Sequence, residues 1–282
     1  MQNPHEQLLF PDLSKTEYFE DLVSFARPRV EDYIKNKGLF GNAFSWSKFN
    51  ADCYKAMYAE NSYADFKTVK ELKGAIPELA DCCKQCGSFH RAQRNKSIVI
   101  YDVMFGKALE DILIDFWKSR FGILAAHGDT QNKKYPDCMI LGKDRGIIAY
   151  FEVKYHSSPF ISAIQKINRY CYEGSATLDY KKIIKQIEII DSDIDRPVFY
   201  LHWIDYPCLK GIFYETSEQV KDYLYNPDSI FERKEREGDE AKAPQSIYLK
   251  KIYSPLLHMG SFDEFVSTIM KMRNNHEKPA NP

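Results

Sequence analysis

The spacing of apolar residues divides the chain into a helical first third and a mixed region after it. In the first 96 residues apolar side chains recur at helical intervals, as in TEYFEDLVSFARPRVEDYIKN, where Pro28 interrupts the pattern. Two more helices are predicted, at 47–60 and at 65–82. Residues 1–96 are therefore predicted to form a helical N-terminal subdomain.

From residue 97 the pattern changes to one long helix followed by strands and helices. The stretch IVIYDVMFGKALEDILIDFWKSRFG carries an apolar stripe at helical spacing and ends at Gly122. Short apolar runs rich in strand-forming residues predict strands at 122–126, 137–141, 146–155, 198–204 and 211–214. Helices are predicted at 161–172, 179–191 and 217–225. This order predicts an α/β core over residues 97–225.

Turn residues refine this picture in two places. The segment LGKDRG lies between the second and third predicted strands, and it favours a tight reversal that makes residues 137–155 a β-hairpin. Residues 226–282 are predicted to hold a charged loop, FERKEREGDEAKAP at 231–244, and a helix from 261 to 273.

Composition restricts the partners and the compartment. The 282 residues are 44% hydrophobic, enough to bury a sizeable core, and 39 basic against 40 acidic residues give a formal net charge of -1. A nucleic acid would therefore have to bind a local basic patch. The first residues lack a signal-peptide pattern, no window is apolar enough to span a membrane, and the seven cysteines are irregularly spaced. These features predict a soluble, cytoplasmic protein with no membrane partner.

The predicted hairpin, YPDCMILGKDRGIIAYFEVKYHSSPF, contains charged residues within otherwise apolar strands. Because side chains alternate between the faces of a strand, Glu152 and Lys154 project together, opposite Val153. A hairpin brings Asp137 onto the neighbouring strand, so that the two carboxylates converge. Mg²⁺ prefers oxygen ligands, which Asp137, Glu152 and the carbonyl of Val153 would supply. Lys154 would hold or deprotonate an attacking water and offset charge that develops on phosphorus.

These residues resemble the signature of the PD-(D/E)XK nuclease superfamily, which includes many restriction endonucleases, Holliday-junction resolvases and repair exonucleases. The matching residues are Pro136-Asp137 and Glu152-Val153-Lys154, and the resemblance covers roughly residues 97 to 215. It implies a restriction-endonuclease-like core, in which helices flank a central mixed β-sheet. It also implies a Mg²⁺-dependent nuclease, with Mn²⁺ as a substitute, that leaves a 5′-phosphate and a 3′-hydroxyl. We expect a DNA endonuclease, while RNA as substrate and exonuclease action stay open at the level of sequence.

The resemblance also implies roles for individual residues. Asp137 and Glu152 would bind the metal, and Lys154 would assist hydrolysis. The superfamily core often opens with a helix whose glutamate joins the site, and Glu110, in FGKALEDIL, is the matching residue. The alternative for Glu110 is an ordinary carboxylate at the edge of the apolar helix stripe.

Three residues are candidates for contact with nucleic acid. His156 follows Lys154 on the same face of the predicted strand, although a histidine at a strand end often has a structural role. The helix LDYKKIIKQIEII buries its isoleucines and exposes Lys182 and Gln186. Many members of the superfamily carry a Gln or a Lys on this helix next to the site. A solvated helix face is the alternative.

Three alternatives stay open at the level of sequence. Cys83-x-x-Cys86 followed by His90 is half of a zinc knuckle, and no second ligand pair follows at a suitable spacing. One active site per chain is compatible with a monomer, a homodimer or a larger assembly. The alternative function is a nucleic-acid-binding or protein-interaction module on the same fold, with little or no catalysis.

Overall fold

The computed structural model describes residues 17–37, 99–132, 134–156, 175–205, 210–234, 248–255 and 258–277. These residues form an α/β structure in which helices pack against a central mixed β-sheet, as the sequence predicts. The predictions that lie outside the described residues are the helices at 47–60, 65–82 and 161–172 and the zinc candidates Cys83, Cys86 and His90.

The described residues include five α-helices: α1 (Glu17–Lys37), α2 (Val99–Phe121), α3 (Tyr180–Asp193), α4 (Ser217–Tyr225) and α5 (Phe262–His276). Helix α2 ends at Gly122, whose φ of 60° suits a glycine and whose N–H donates to the Lys118 carbonyl (3.1 Å). The side chains of Asp179, Thr216 and Ser261 cap the N-termini of α3, α4 and α5.

Helix α1 continues through Pro28, so the prediction that this proline interrupts the first helix is wrong. A proline removes one backbone hydrogen bond and more often bends a helix than ends it when packing supports both sides. Pro28 lies on the exposed side of α1, where solvent satisfies the freed carbonyl, and the opposite side is buried.

Six strands form the central sheet within the described residues: β1 (Leu124–His127), β2 (Cys138–Leu141), β3 (Ile147–His156), β5 (Val198–Asp205), β6 (Lys210–Thr216) and β9 (Gly260–Ser261). They are arranged in the order β1-β2-β3-β5-β6-β9. Strands β3 and β5 are parallel, whereas the other neighbours are antiparallel. The predicted LGKDRG turn closes the β2–β3 hairpin, where the Gly142 N–H donates to the Gly146 carbonyl (2.8 Å).

A second, antiparallel sheet was not predicted. It contains β4 (Ser175–Asp179), β8 (Tyr248–Pro255) and β7 (Ile230–Lys234), in that order. The prediction of a loop is therefore wrong for residues 231–234, which pair with β8. Strand β7 lies at the edge of its sheet, where the charged side chain of Glu232 is exposed and does not prevent pairing. The remainder of the predicted loop lies outside the described residues.

Buried side chains form one core on each face of the central sheet. On one face α1, α2 and α5 pack against residues that include Phe151, Leu201 and Trp203. On the other face α3 and α4 pack against Val198 and Tyr200. Because side chains alternate along a strand, the neighbours of Phe151 on β3 project toward α3. Glu152 and Lys154 of β3 therefore lie on that second face.

Helices from both ends of the described chain share the first of these cores. Leu22 of α1 and Phe265 of α5 are fully buried in the cluster that contains Leu109 and Phe151. The division of the chain at residues 96 and 225 stays a prediction, because most of 1–96 lies outside the described residues. No helix in the described ranges is long and apolar enough to cross a membrane.

Candidate active site

Asp137, Glu152 and Lys154 meet where the β2–β3 hairpin faces α3. The antiparallel register sets Asp137, immediately before β2, beside Glu152 of β3. The Asp137 N–H donates to Glu152 Oε2 (3.1 Å), and the Val153 N–H donates to Asp137 Oδ2 (2.9 Å). Lys154 Nζ forms an ion pair with Glu152 Oε1. The hairpin therefore brings these three predicted site residues together, and the backbone of the opposite strand fixes each carboxylate.

Glu152 carries its charge in the interior, with 0% of its surface exposed. Lys182 Nζ donates to its Oε1 (3.1 Å) and Gln186 Nε2 donates to its Oε2 (2.9 Å), in addition to Lys154 and the Asp137 N–H. Burial opposes ionisation, but the Lys154 and Lys182 ammonium groups outweigh it and lower the pKa of Glu152 to about 2. Both oxygens of this carboxylate are thus ionised and hydrogen-bonded.

Glu110 extends from α2 toward the same carboxylates. Burial and, after it, the negative charges of Asp137 and Glu152 raise the pKa of Glu110 to about 7. Burial and the charge of Glu152 likewise raise the pKa of Asp137 to about 6. The mutual repulsion of the three carboxyls means that Glu110 belongs to the electrostatic environment of the hairpin site.

His127, at the end of β1, contacts the helix that carries Glu110. Its Nδ1 lies 3.5 Å from Glu110 Oε2, and its Nε2 lies 2.7 Å from Asp111 Oδ1. These contacts limit the positions that the Glu110 side chain can take. No sequence pattern indicated His127, because its position depends on the packing of α2 against β1.

The donor set fits a hard divalent cation. The carboxyl oxygens of Glu110, Asp137 and Glu152, with the carbonyl of Val153, are of the type that Mg²⁺ prefers. Burial and mutual repulsion raise the pKa values of Glu110 and Asp137, so that Glu110 is only partly ionised near neutral pH. A divalent cation would supply positive charge that favours the ionised form.

The side chains are not arranged as a closed metal site. Among the described residues, no three His, Cys, Asp or Glu side chains form a group that could hold a metal ion. The ammonium groups of Lys154 and Lys182 instead contact the Oε1 atom of Glu152. Direct binding of a cation to that oxygen would require one or both lysines to move away from it.

Helix α3 supplies Lys182 and Gln186 to this site, but in different ways. The side chain of Lys182 is 49% exposed and reaches Glu152 from the surface. The prediction that Gln186 is exposed is wrong, since it is 0% exposed. Its amide donates to Glu152 and accepts from the Tyr200 hydroxyl (2.9 Å). The buried amide is stable there because both of its ends are hydrogen-bonded, and it supports Glu152 from within.

His156 lies on the same face as Glu152 and Lys154, as the alternation along β3 predicts. Its Nε2 lies 3.1 Å from Nδ1 of His202 on β5, and Nε2 of His202 lies 2.7 Å from Glu215 Oε1 on β6. Tyr200, His202 and Glu215 were not predicted. The alternation in VFYLHWID was a usable signal, because polar residues at positions 200 and 202 share one face of an otherwise apolar strand.

Comparison of the chain with protein-family models and with curated proteins gives no match.

Proposed function

We propose that this protein is a Mg²⁺-dependent nuclease with a restriction-endonuclease-like core, and that it hydrolyses phosphodiester bonds, most readily in DNA as an endonuclease. The observation that carries the proposal is the convergence of three carboxyls and a lysine from separate elements. Glu110 comes from α2, Asp137 from the start of β2, and Glu152 and Lys154 from one face of β3. Repelling carboxyls in a partly buried site are expensive to maintain unless they bind a cation or a proton.

The order of elements supports the core that we propose. Helix α2 is followed by the antiparallel strands β1, β2 and β3, and α3 precedes β5, which returns parallel to β3. The carboxylates lie on β3, on the residue immediately before β2 and on the helix that opens this unit. This is the arrangement that the resemblance to the PD-(D/E)XK superfamily implies.

In the proposed reaction Glu110, Asp137, Glu152 and the Val153 carbonyl would hold Mg²⁺, for which Mn²⁺ would substitute. Such an ion would supply Lewis acidity to the scissile phosphate and to the attacking water. Lys154, released from Glu152, then orients the attacking water and offsets the negative charge that develops on phosphorus.

Lys182 would take part in binding the polynucleotide. It is half exposed beside the carboxylates, and its neighbours Lys181 and Lys185 on α3 are exposed as well. Three ammonium groups near one end of a helix form a local basic patch of the kind that a chain with a net charge of -1 needs for contact with phosphates. We assign Gln186 to supporting Glu152 rather than to touching the substrate, because its amide is buried.

The test is incubation of the full chain with supercoiled plasmid, linear duplex, single-stranded DNA and RNA, in Mg²⁺, in Mn²⁺ and in chelator. We expect metal-dependent cleavage of DNA that falls by at least about 100-fold in Asp137→Asn and Glu152→Gln, as for loss of groups that stabilise a transition state. Asp115→Asn is the matched control, since Asp115 is an exposed carboxylate of α2 that pairs with Arg29 (2.6 Å). Cleavage that persists in chelator, or in both site variants, would refute the proposal.

A second candidate is a nucleic-acid-binding module without catalysis. The specific observation in its favour is the saturation of Glu152, whose two oxygens already accept from Lys154, Lys182, Gln186 and a backbone N–H. Duplex binding without any cleavage in Mg²⁺ or Mn²⁺, together with no metal binding that depends on Asp137, would favour this candidate over the nuclease.

A further inference from the structure

A chain of three polar side chains leads from the candidate active site into the interior. His156 of β3, His202 of β5 and Glu215 of β6 are linked by the 3.1 Å and 2.7 Å contacts described above. The two imidazole rings have centroids 5.3 Å apart and planes inclined by 30°, so that their nitrogens point at each other across the strands. The chain starts beside Lys154, which lies opposite His202 in the parallel register of β3 and β5.

The inner end of this chain is enclosed. His202 and Glu215 are 0% and 1% exposed, and within the described residues no Lys or Arg side chain pairs with Glu215. An ionised carboxylate without a cation is unfavourable in such a place, so the neutral, protonated form is preferred. In agreement, burial raises the pKa of Glu215 to about 8, although the nearby Ser254 hydroxyl opposes the rise. Burial and the Lys154 charge lower the pKa of His202 to about 3.

The position of the carboxyl proton follows from the hydrogen bonds that are available. In the described part of the chain neither Glu215 Oε2 nor Ser254 Oγ makes a hydrogen bond of normal geometry, although the Ser254 hydroxyl is near enough to lower the pKa of Glu215, and Glu215 Oε1 faces Nε2 of His202. A buried donor without an acceptor costs more than an acceptor left without a donor in the same place, so the proton belongs on Oε1.

That proton determines the tautomers of both histidines. If Glu215 Oε1–H donates to Nε2 of His202, the single proton of neutral His202 lies on Nδ1 and is donated to Nε2 of His156. Neutral His156 must then carry its own proton on Nδ1. No described residue accepts from Nδ1 of His156, and the residue keeps part of its surface exposed. The Nδ1–H group of His156 is therefore left without a partner among these three side chains, at the end of the series beside Lys154.

We propose that Glu215 and His202 are positioning residues that hold His156 as its Nδ1–H tautomer, so that His156 donates an uncharged hydrogen bond to a phosphate oxygen of the bound polynucleotide. The inference rests on the proposed function for the identity of the anion. The tautomer itself depends only on the fold. A neutral donor adds directional recognition to a site in which Lys154 and Lys182 already supply positive charge.

The first measurement is the protonation of the seven histidines in the full chain, by two-bond ¹H–¹⁵N correlation NMR, with His156 assigned from the signal lost in His156→Asn. We expect the Nδ1–H form for His156. In Glu215→Met, which cannot donate, the Nε2–H form should appear. In Glu215→Gln, whose amide N–H can replace the acid proton, the Nδ1–H form should persist. A wild-type His156 that is protonated on Nε2, or on both nitrogens, would overturn the inference even if Glu215→Met does not fold.

The second measurement is binding of a short DNA duplex of mixed sequence, with Ca²⁺ in place of Mg²⁺ and fluorescence anisotropy as readout. Loss of one hydrogen bond to a charged phosphate should weaken binding about tenfold in Glu215→Met and less than about twofold in Glu215→Gln. Equal duplex binding by the wild type and by Glu215→Met would overturn the proposal that His156 contacts phosphate. A wild-type protein that does not bind the duplex would overturn it as well. Duplex binding that follows this pattern without cleavage in Mg²⁺ refutes the nuclease proposal and supports the role of His156.

Discussion

Lowering the pH from about 7.5 to about 5.5 should weaken Mn²⁺ binding to this protein about 100-fold, because the metal must displace protons from two carboxyls. The perturbation acts on Glu110 and Asp137, whose pKa values are raised to about 7 and about 6. A raised carboxyl pKa means that the metal-free site binds protons at pH values where an exposed carboxylate is already ionised. Glu152 stays ionised throughout this range, since its pKa is lowered to about 2.

The magnitude follows from the ionised fractions. At about pH 7.5 roughly three quarters of Glu110 and nearly all of Asp137 is ionised, whereas at about pH 5.5 Glu110 is almost wholly protonated and only about a quarter of Asp137 is ionised. If both groups must be ionised to bind the metal, the fraction of protein molecules that can bind it falls from about three quarters to about one hundredth. Near pH 6.5 the metal-free site holds about one proton in total, so binding should release about one proton.

The assay is isothermal titration calorimetry with Mn²⁺ in two buffers of different ionisation enthalpy, which gives both the affinity and the number of protons released. Glu110→Gln is the informative variant, since only Asp137 then titrates and the pH dependence should shrink to about fourfold. Asp115→Asn serves as the control on the same helix. An affinity that does not change between the two pH values, or a Glu110→Gln variant with the full dependence, would refute the reasoning.

Three further expectations follow from the packing and the charges. A Cβ atom at Gly128 would collide with the backbone carbonyl of Pro136, so Gly128→Ala should displace Asp137, which follows Pro136, and reduce cleavage. Gly106→Ala is the control, because the space around its Cβ is open and cleavage rates should not change. Equal rates in the two variants would contradict this. Lys154→Met should abolish cleavage but tighten Mn²⁺ binding, because it removes an ammonium group that competes with the metal for the Glu152 carboxylate. Normal cleavage by this variant would exclude the role assigned to Lys154. Leu109→Ala should lower the free energy of unfolding by about 2–5 kcal/mol in urea titrations, since Leu109 is 1% exposed in the core. A loss well below that range would mean that the helix repacks.

The elements with strong periodicity were predicted closely from the sequence. The boundaries of α2, α3, α4 and α5 differ from the predicted ones by a few residues at most, because an apolar stripe, a capping side chain and a terminal glycine are all local signals. The β2–β3 hairpin was predicted for the same reason, since its turn and its alternation lie within 20 or so residues. The α/β class with a mixed central sheet is confirmed.

The second sheet was missed because its strands carry little local signal. Strand β4 has five residues, and the alternating positions of β7 and β8 include several charges, which in a sequence are typical of a solvated loop. These strands are stable because they pair with one another and because Ile252 is buried against Leu178 and α3. The pairing of β4 with β8 joins segments more than 70 residues apart, which no local pattern encodes.

The sequence by itself determined that Asp137, Glu152 and Lys154 would share one face of a hairpin, because the alternation of a strand and the turn beside it are local properties. Only the tertiary structure decided what surrounds them. The parallel pairing of β3 with β5 brings His202 beside Lys154, and the packing of α3 buries Gln186 against Glu152. The pKa values of the site are also tertiary properties, since burial and the charges of neighbouring segments set them.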